Sequence, residues 1–181
     1  MLKAEAVAGV VLAAGAGSRF GMPKVLADGG GWLARAVSAL DDGGCDDVIV
    51  VLGAAVVEVP EPARAVVATH WADGMSASVR EGLNAAGEAE WIVLHTVDTP
   101  DVDAAVVARV LEAARAAASG LARARYDGRP GHPVVLARRH VEALAATLHG
   151  DQGARAFLGG RDDVVAVDCG DLATGLDIDE R

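Results

Sequence analysis

Glycine residues and two cations lie close together near the start of the sequence, in an arrangement that could bind phosphate. Residues 12–24 read Leu-Ala-Ala-Gly-Ala-Gly-Ser-Arg-Phe-Gly-Met-Pro-Lys. Because glycine has no side chain, backbone N–H groups at such a turn can approach phosphate oxygens closely. Arg19 and Lys24 could then neutralise a triphosphate, although either residue alone could be a solvated loop cation. The combination predicts a nucleotide-binding turn.

This glycine turn differs from the two best-known nucleotide-binding loops. The dinucleotide-binding pattern Gly-x-Gly-x-x-Gly would need glycine where this chain has Phe20. The second predicted strand ends in Leu52-Gly53, with no acidic residue to bind a ribose hydroxyl. The P-loop requires adjacent Gly-Lys-Ser/Thr, whereas Gly21 and Lys24 are separated here. The turn therefore predicts phosphate binding of another type.

An acidic turn is the second candidate for chemistry. Residues 96–100 read Thr-Val-Asp-Thr-Pro and follow a short apolar run. Mg²⁺ prefers oxygen ligands such as carboxylates, so Asp98 could hold a metal ion. The alternative is that Asp98 only caps the turn before Pro100.

Hydrophobic patterning predicts the elements that must position these two turns. Short continuous apolar runs indicate buried strands, and apolar residues at helical spacing indicate amphipathic helices. The predicted strands cover residues 8–12, 47–53, 65–68, 91–94, 121–126, 133–136 and 164–167. The predicted helices cover about 32–40, 76–86 (with Ser76 as N-cap), 106–114 and 141–148.

Strands that alternate with helices predict a three-layer α/β/α fold with a mostly parallel mixed sheet. In such sheets, ligands bind beyond the carboxyl ends of the strands. The glycine turn and Asp98 both follow predicted strand ends, so we expect them to meet at one site.

Composition and charge restrict the functions that this site could serve. The chain has 181 residues, 52% of them hydrophobic, which is enough for one domain with a sizeable core. Its formal net charge of −10 argues against the basic surface that nucleic acids or anionic lipids require. We therefore expect neither a nucleic-acid partner nor a membrane partner. An acidic protein that binds phosphates must place cations locally or recruit Mg²⁺.

Three features predict a cytoplasmic location. No apolar run approaches the roughly 20 residues needed to span a bilayer. Residues 1–5 carry an early acid and lead into a predicted strand, unlike a signal peptide. Cys45 and Cys169 lie far apart, so we expect two buried thiols in a reducing compartment.

The loop sequence also resembles a known family. Leu-Ala-Ala-Gly-x-Gly-x-Arg-x-Gly-x-Pro-Lys is similar to the signature loop of the MobA/MocA-like nucleotidyltransferases, typified by molybdenum-cofactor cytidylyltransferase. Further blocks resemble the same family in chain order, at residues 71–78, 98–100, 131–133, 150–155 and 177–179. This order is much more specific than any single block, and it extends over nearly the whole chain.

The resemblance implies a Rossmann-like domain over residues 1–181, akin to the nucleotide-diphospho-sugar transferases. It implies Mg²⁺-dependent transfer of a nucleoside monophosphate from an NTP to a phosphorylated acceptor, such as a molybdopterin-type cofactor, with release of pyrophosphate. A molybdoenzyme is then an expected partner. Catalytic roles are implied for Arg19, Lys24 and Asp98, and metal binding for Asp98 and Asp179. Ligand-binding roles are implied for Leu12, Ala13, Ala14, Gly15, Gly17, Ser78 and His132.

Ala14 bears on the choice of nucleotide. The cytidylyl branch of the family is similar to Leu-Ala-Ala-Gly at this place, whereas the guanylyl branch usually has Leu-Ala-Gly-Gly. The resemblance therefore implies CTP rather than GTP. Simpler roles stay open for two of these residues. Ser78 could simply cap the N-terminus of the helix, and His132 could be a hydrogen-bonded loop residue. Asp151 and Arg155 are spaced i, i+4 and could form a helical ion pair.

Two other functions stay open. Residues 32–35 and 126–133 resemble a branch of the family described as nicotine blue oxidoreductase. That branch implies reduction of a dye-like heterocycle by NAD(P)H. The third interpretation is a catalytically silent nucleotide-binding protein that serves a molybdoenzyme or another partner.

Overall fold

Seven strands form one sheet in the computed structural model, which describes residues 5–180. They are β1 (Val7–Ala13), β2 (Asp47–Leu52), β3 (Arg64–Val67), β4 (Trp91–Thr96), β5 (Leu121–Tyr126), β6 (Arg129–Ala137) and β7 (Val165–Asp168). Their order across the sheet is β3-β2-β1-β4-β6-β5-β7, and β6 alone among them runs antiparallel to its neighbours. The predicted mostly parallel mixed sheet is confirmed.

Helices cover both faces of this sheet. The α-helices of the described chain are α1 (Gly31–Asp42), α2 (Met75–Ala86), α3 (Ala104–Ala116), α4 (Val141–Thr147) and α5 (Arg155–Gly159). Short 3-10 turns occupy Lys24–Gly30, Trp71–Asp73 and Arg138–His140. None of these helices is long and apolar enough to cross a membrane.

Alternate side chains of the strands form a separate core on each face of the sheet. In β1, Val11 belongs to the core that contains α1 and α3, whereas Val10 belongs to the core that contains α2, α4 and α5. All seven residues of β1 are buried, as expected for a central strand with both faces covered. The three-layer α/β/α arrangement is therefore confirmed.

Close packing around β1 requires a glycine. A Cβ on Gly9 would lie only 2.7 Å from the Sγ of Cys45, in the connection between α1 and β2. Glycine thus lets that connection pack directly against the strand. Both Cys45 and Cys169 are buried free thiols, as the sequence predicted.

The prediction that Ser76 caps α2 is wrong. The helix begins at Met75, and its N-cap is Gly74, whose φ of 113° is a conformation that favours glycine. Ser76 therefore lies inside the first turn, where its Oγ is buried without a hydrogen-bond partner.

The segment around residues 127–132 also differs from the predicted long loop. β5 and β6 form a hairpin whose turn residues, Asp127 and Gly128, have φ values of 48° and 77°. Two left-handed residues in succession are typical of a tight hairpin turn, and Asp-Gly is a preferred pair for it. As a result β6 begins at Arg129, four residues earlier than predicted. The short helix α5 was not predicted.

Candidate active site

The two candidate turns meet at the carboxyl edge of the sheet. β1 and β4 are parallel neighbours, with Leu12 opposite Thr96, so the glycine turn and the acidic turn leave the sheet side by side. The N–H of Val97 donates to the carbonyl of Leu12 over 3.4 Å. The N–H of Ile178 donates to the carbonyl of Asp98 over 3.0 Å and so fastens the C-terminal segment to this edge.

The glycine turn is tightly packed at Gly17 and accessible at Gly15. Gly17 has a φ of 65°, and a Cβ there would lie 1.8 Å from the carbonyl oxygen of Met22. The N–H of Gly21 donates to the carbonyl of Gly17 over 2.8 Å, which closes the turn. At Gly15, by contrast, a Cβ would meet nothing within 4 Å. A ligand can therefore approach the backbone near Gly15, while Gly17 holds the loop in shape.

Lys24 lies between two carboxylates. Its Nζ donates to Oδ2 of Asp98 over 2.9 Å and to Oδ1 of Asp179 over 2.8 Å. Arg19 Nη2 lies 3.7 Å from Oδ2 of Asp179 at the rim. The Lys24 side chain is 16% exposed and that of Arg19 is 73% exposed. The site thus has one cation on its floor and a second, largely exposed cation at its edge.

The charged side chains in this cluster shift one another's pKa values. Burial would lower the pKa of Lys24, but its hydrogen bonds to Asp179 and Asp98 outweigh burial and raise it. The same hydrogen bond from Lys24 lowers the pKa of Asp179. Burial, together with the Asp98 and Asp179 carboxylates, raises the pKa of Asp177. Lys24 is therefore fully cationic at neutral pH.

The oxygen atoms of Asp98 and Asp179 fit a divalent cation. Oδ1 of Asp98 is buried and has no hydrogen-bond partner among the described residues, so one of its acceptor atoms is unused. Residues 5–180 contain no group of three or more Asp, Glu, His or Cys side chains arranged around one point. Mg²⁺ is commonly held by one or two carboxylates, with water and substrate phosphates as its other ligands. Two carboxylates therefore suffice when a phosphate ligand is present.

Two cavities adjoin the glycine turn. The first has a volume of about 330 Å³ and the second about 400 Å³. Leu12, Gly15, Ser18 and Met75 line both of them. The first also contacts Ala13, Gly17, Arg19, Lys24, Asp98 and Asp179, and the second contacts Ala14, Trp71, Gly74, Ser78 and Asp151. The first cavity is thus lined by more charged side chains than the second, and Gly15 borders both.

His132 shares a cavity with one other predicted ligand-binding residue, Leu12. His132 lines a third cavity, between β6 and the segment at residues 151–155, and not the first or the second. Burial, with a further contribution from Arg123, lowers its pKa to about 4, against an opposing effect of Asp98. The imidazole is therefore neutral at pH 7. Its own carbonyl accepts a hydrogen bond from the hydroxyl of Tyr126 over 2.6 Å.

Sequence reasoning missed three contributors to the site. Met75 and Trp71 line the cavities, and although both lie in the block at residues 71–78 that resembles the family, neither had been assigned a role. Arg123 lines the third cavity from the middle of β5. Its signal was a cation between buried Ala122 and Ala124, which is unusual for a strand inside a sheet.

The fold and this site together define a class of protein. The sequence model of the MobA-like NTP transferase domain matches residues 9–165, and the chain belongs to that family. It is a family of nucleotidyltransferase-like proteins.

Individual relatives are similar over almost the whole chain. Nicotine blue oxidoreductase of Paenarthrobacter nicotinovorans is 39% identical over 188 residues, which cover 96% of this chain and 92% of that protein. The crystal structure of Rv0371c from Mycobacterium tuberculosis H37Rv is 30% identical, with a TM-score of 0.80 over 98% of this chain and 95% of that one.

Two further structures bear on metal and nucleotide. Rv0371c has also been solved in complex with manganese, at 28% identity and a TM-score of 0.69 over 96% of this chain and 94% of that one. The 2-C-methyl-D-erythritol 4-phosphate cytidylyltransferase of Thermus thermophilus is 25% identical, with a TM-score of 0.65 over 96% and 92% of the two chains.

Proposed function

We propose that the protein is a Mg²⁺-dependent nucleotidyltransferase that moves CMP from CTP to a small phosphorylated acceptor, such as a molybdopterin-type cofactor. The observation that carries the proposal is Lys24 held between Asp98 and Asp179 beside a glycine turn. The manganese complex of Rv0371c supports the use of a divalent ion. Ala14 supports CTP, and so does the similarity to a cytidylyltransferase.

The transfer forms one P–O bond and breaks another. An oxygen of the acceptor phosphate attacks the α-phosphorus of CTP, the bond from that phosphorus to the bridging oxygen breaks, and pyrophosphate leaves with the bonding electrons. Negative charge grows on the leaving group, where Arg19 and Lys24 can neutralise it. The backbone of residues 13–17 holds the phosphates in position. Such reactions depend mainly on positioning and charge stabilisation.

Asp98 and Asp179 would hold the metal ion in this scheme. Bound Mg²⁺ supplies charge neutralisation and polarises the phosphoryl oxygens. The Asp98 Oδ1 atom, which has no hydrogen-bond partner within residues 5–180, is available for that role. Ala14 and Ser78 would contact the nucleoside in the second cavity.

The similarity to nicotine blue oxidoreductase favours a second candidate function, NAD(P)H-dependent reduction of a heterocycle. The glycine turn could hold the pyrophosphate of a dinucleotide. However, Phe20 replaces the third glycine of the dinucleotide pattern, and β2 ends without an acid for the ribose. These residues favour the transferase.

The test is to measure release of pyrophosphate from each of the four NTPs with Mg²⁺ and a panel of phosphorylated acceptors. We expect CTP to be used best, and Asp98→Asn to lower turnover by about 100-fold or more because the metal-binding charge is lost. Asn keeps the size of Asp, so the melting temperature should change little. Asp41→Asn, an equivalent charge change on the exposed end of α1, serves as the matched control.

Three results of this test would count against the proposal. Equal turnover by Asp98→Asn and the wild type at low millimolar Mg²⁺ would contradict the metal assignment. Loss of NADPH absorbance with a heterocycle, without any metal requirement, would establish the oxidoreductase. Binding of CTP without turnover of any acceptor would establish a silent binder.

A further inference from the structure

The third cavity contains two cations that the proposed function does not use. It has a volume of about 370 Å³ and shares Leu12 and Met75 with both cavities beside the glycine turn. Arg123 lines it from β5, and Arg155 lines it from the start of α5. Two guanidinium groups from distant parts of the chain therefore border one space next to the candidate active site.

Arg123 is poorly supplied with hydrogen-bond acceptors. The side chain is half-buried, and its one hydrogen bond within residues 5–180 runs from Nη2 to the carbonyl of Gly131 over 3.4 Å. Its Nε is buried without any partner. A desolvated guanidinium with few acceptors costs free energy in folding. A ligand that offered acceptors to the other nitrogens would offset that cost.

Neither arginine forms an ion pair within the part of the chain that the structure describes. Asp151 and Asp177 line the same cavity, yet no carboxylate of the described residues lies within ion-pair distance of Arg123 or Arg155. The i, i+4 pair of Asp151 with Arg155 is absent, because residue 151 precedes the helix that Arg155 begins. The free cations are thus available to an anion from solution.

The electrostatic surroundings agree with this geometry. Burial lowers the pKa of Arg123, and the Arg155 charge lowers it further. Arg123 and Asp98 also act in opposite directions on the pKa of His132, which lies in the same cavity. Both charges therefore act on His132, a residue that lines the third cavity.

We propose that Arg123 and Arg155 bind the phosphate monoester of the acceptor in the third cavity. This assignment rests on the proposed transferase function, and it names the residues that bind the phosphate group of the second substrate. Guanidinium groups present planar sets of donors that match phosphate oxygens, and two of them can satisfy one dianion. Neutral His132 can donate or accept one further hydrogen bond.

Inorganic phosphate is the probe for this site. We would titrate the ¹⁵N-labelled protein with phosphate at constant ionic strength, without nucleotide, and follow the Nε–Hε signals of its arginines. The signals of Arg123 and Arg155 should move together and saturate. Arg155→Gln should weaken this binding by at least about tenfold, read at Arg123. Arg123→Gln should weaken phosphate binding to a similar extent, as followed by the Arg155 signal. Arg123→Lys should bind phosphate more tightly than Arg123→Gln and less tightly than the wild type.

Two controls separate this site from other cations. Arg115→Gln removes an exposed charge of α3 and should leave the titration unchanged. Arg35→Gln, which removes an exposed cation of α1, should also leave the Arg123 signal and its affinity unchanged. Arg155 is exposed at the start of a short helix, so its replacement tests the proposal even if Arg123→Gln fails to fold.

The outcomes distinguish this inference from the transferase proposal. Signals that do not move, or that move equally with chloride, overturn the phosphate site whatever the enzyme does with CTP. Saturable binding without pyrophosphate release supports the anion site and leaves the transferase proposal refuted. Where turnover is observed, Arg155→Gln should raise the KM of the acceptor about tenfold and leave that of CTP unchanged. An equal rise in both would show that the cavity does not select the acceptor.

Discussion

Lys24 and Arg19 carry the same charge in different surroundings. Lys24 is mostly buried and hydrogen-bonded to two carboxylates, whereas Arg19 is largely exposed and 3.7 Å from Asp179. We expect Arg19→Ala to weaken the binding of CTP by about tenfold through loss of one charge-assisted contact, and to leave the binding of cytidine unchanged. Isothermal titration with both ligands checks this.

Lys24→Ala should have a larger effect than Arg19→Ala. It removes a phosphate contact, and it also leaves Asp98 without its ion pair and Asp179 with only the largely exposed Arg19 at 3.7 Å. CTP binding should therefore be weaker and should depend more strongly on Mg²⁺ than in the wild type, because the metal ion is then the main counter-charge for both the carboxylates and the triphosphate. An equal loss of affinity for CTP and cytidine would instead indicate that the loop had become disordered.

Residue types alone disclosed only part of this site. Arg19, Lys24 and Asp98 were singled out because two cations follow a glycine turn and an acid follows a strand, and the structure places all three around one cavity. Asp179 was implied only by a family resemblance, since nothing local shows that residues 98 and 179 meet. Arg123 could not be assigned to the third cavity, because the direction of its side chain depends on the pairing of β5 with β6.

Among the elements, the glycine turn depends most on backbone conformation. Gly17 has a left-handed φ, and a Cβ there would overlap the carbonyl of Met22. We expect Gly17→Ala to destabilise the fold by at least about 1–2 kcal/mol and to weaken CTP binding. Gly160→Ala is the matched control, since its Cβ would meet nothing within 4 Å and its φ is −88°. Urea unfolding of both variants measures the difference, and an unaffected Gly17→Ala would show that the turn readily changes shape.

The central elements were predictable and several boundaries were not. β1, β2 and β4 are buried on both faces, so continuous apolar sequence was sufficient to find them. The start of α2 was misplaced because Ser is a common N-cap, whereas here the unusual conformation of Gly74 begins the helix. The short α5 depends on tertiary packing of Phe157 and Leu158 rather than on helical periodicity.

For the whole molecule, a buried histidine should make stability depend on pH. His95 of β4 is 1% exposed, and neither ring nitrogen has a hydrogen-bond partner among residues 5–180. Burial, with a smaller effect of His132, lowers its pKa to about 3. The unfolded chain binds this proton near pH 6.5 and the folded chain does not, so stability must fall as the pH drops from about 6.5 toward 3.

Replacing this histidine should flatten that pH dependence. Between pH 6.5 and 5, linkage assigns roughly 1.5 kcal/mol of the loss in unfolding free energy to His95. His95→Leu should remove this contribution to the pH dependence of the unfolding free energy, as measured by urea unfolding at the two pH values. The exposed His149, changed in the same way, should leave the pH dependence as in the wild type. If His95→Leu kept the full slope, the ring would have to be protonated in the folded state.

Ligand binding should stabilise the whole fold, because the first cavity joins segments that are far apart in sequence. Residues of the glycine turn, the acidic turn and the C-terminal segment all line it. A ligand that binds the native state alone adds about 2.7 kcal/mol at a hundredfold excess over Kd. For a domain of this size, that corresponds to a rise of roughly 5–10 °C in melting temperature.

Mg²⁺ with CTP should give the largest rise in melting temperature, above that given by GTP. Chelation of the metal should abolish most of this rise, since Asp98 and Asp179 would then repel the triphosphate. Asp98→Asn should lose the metal-dependent part of the rise. A larger rise in melting temperature with NADPH, unchanged by the chelator, would contradict both the proposed nucleotide, CTP, and the proposed reaction, nucleotidyl transfer.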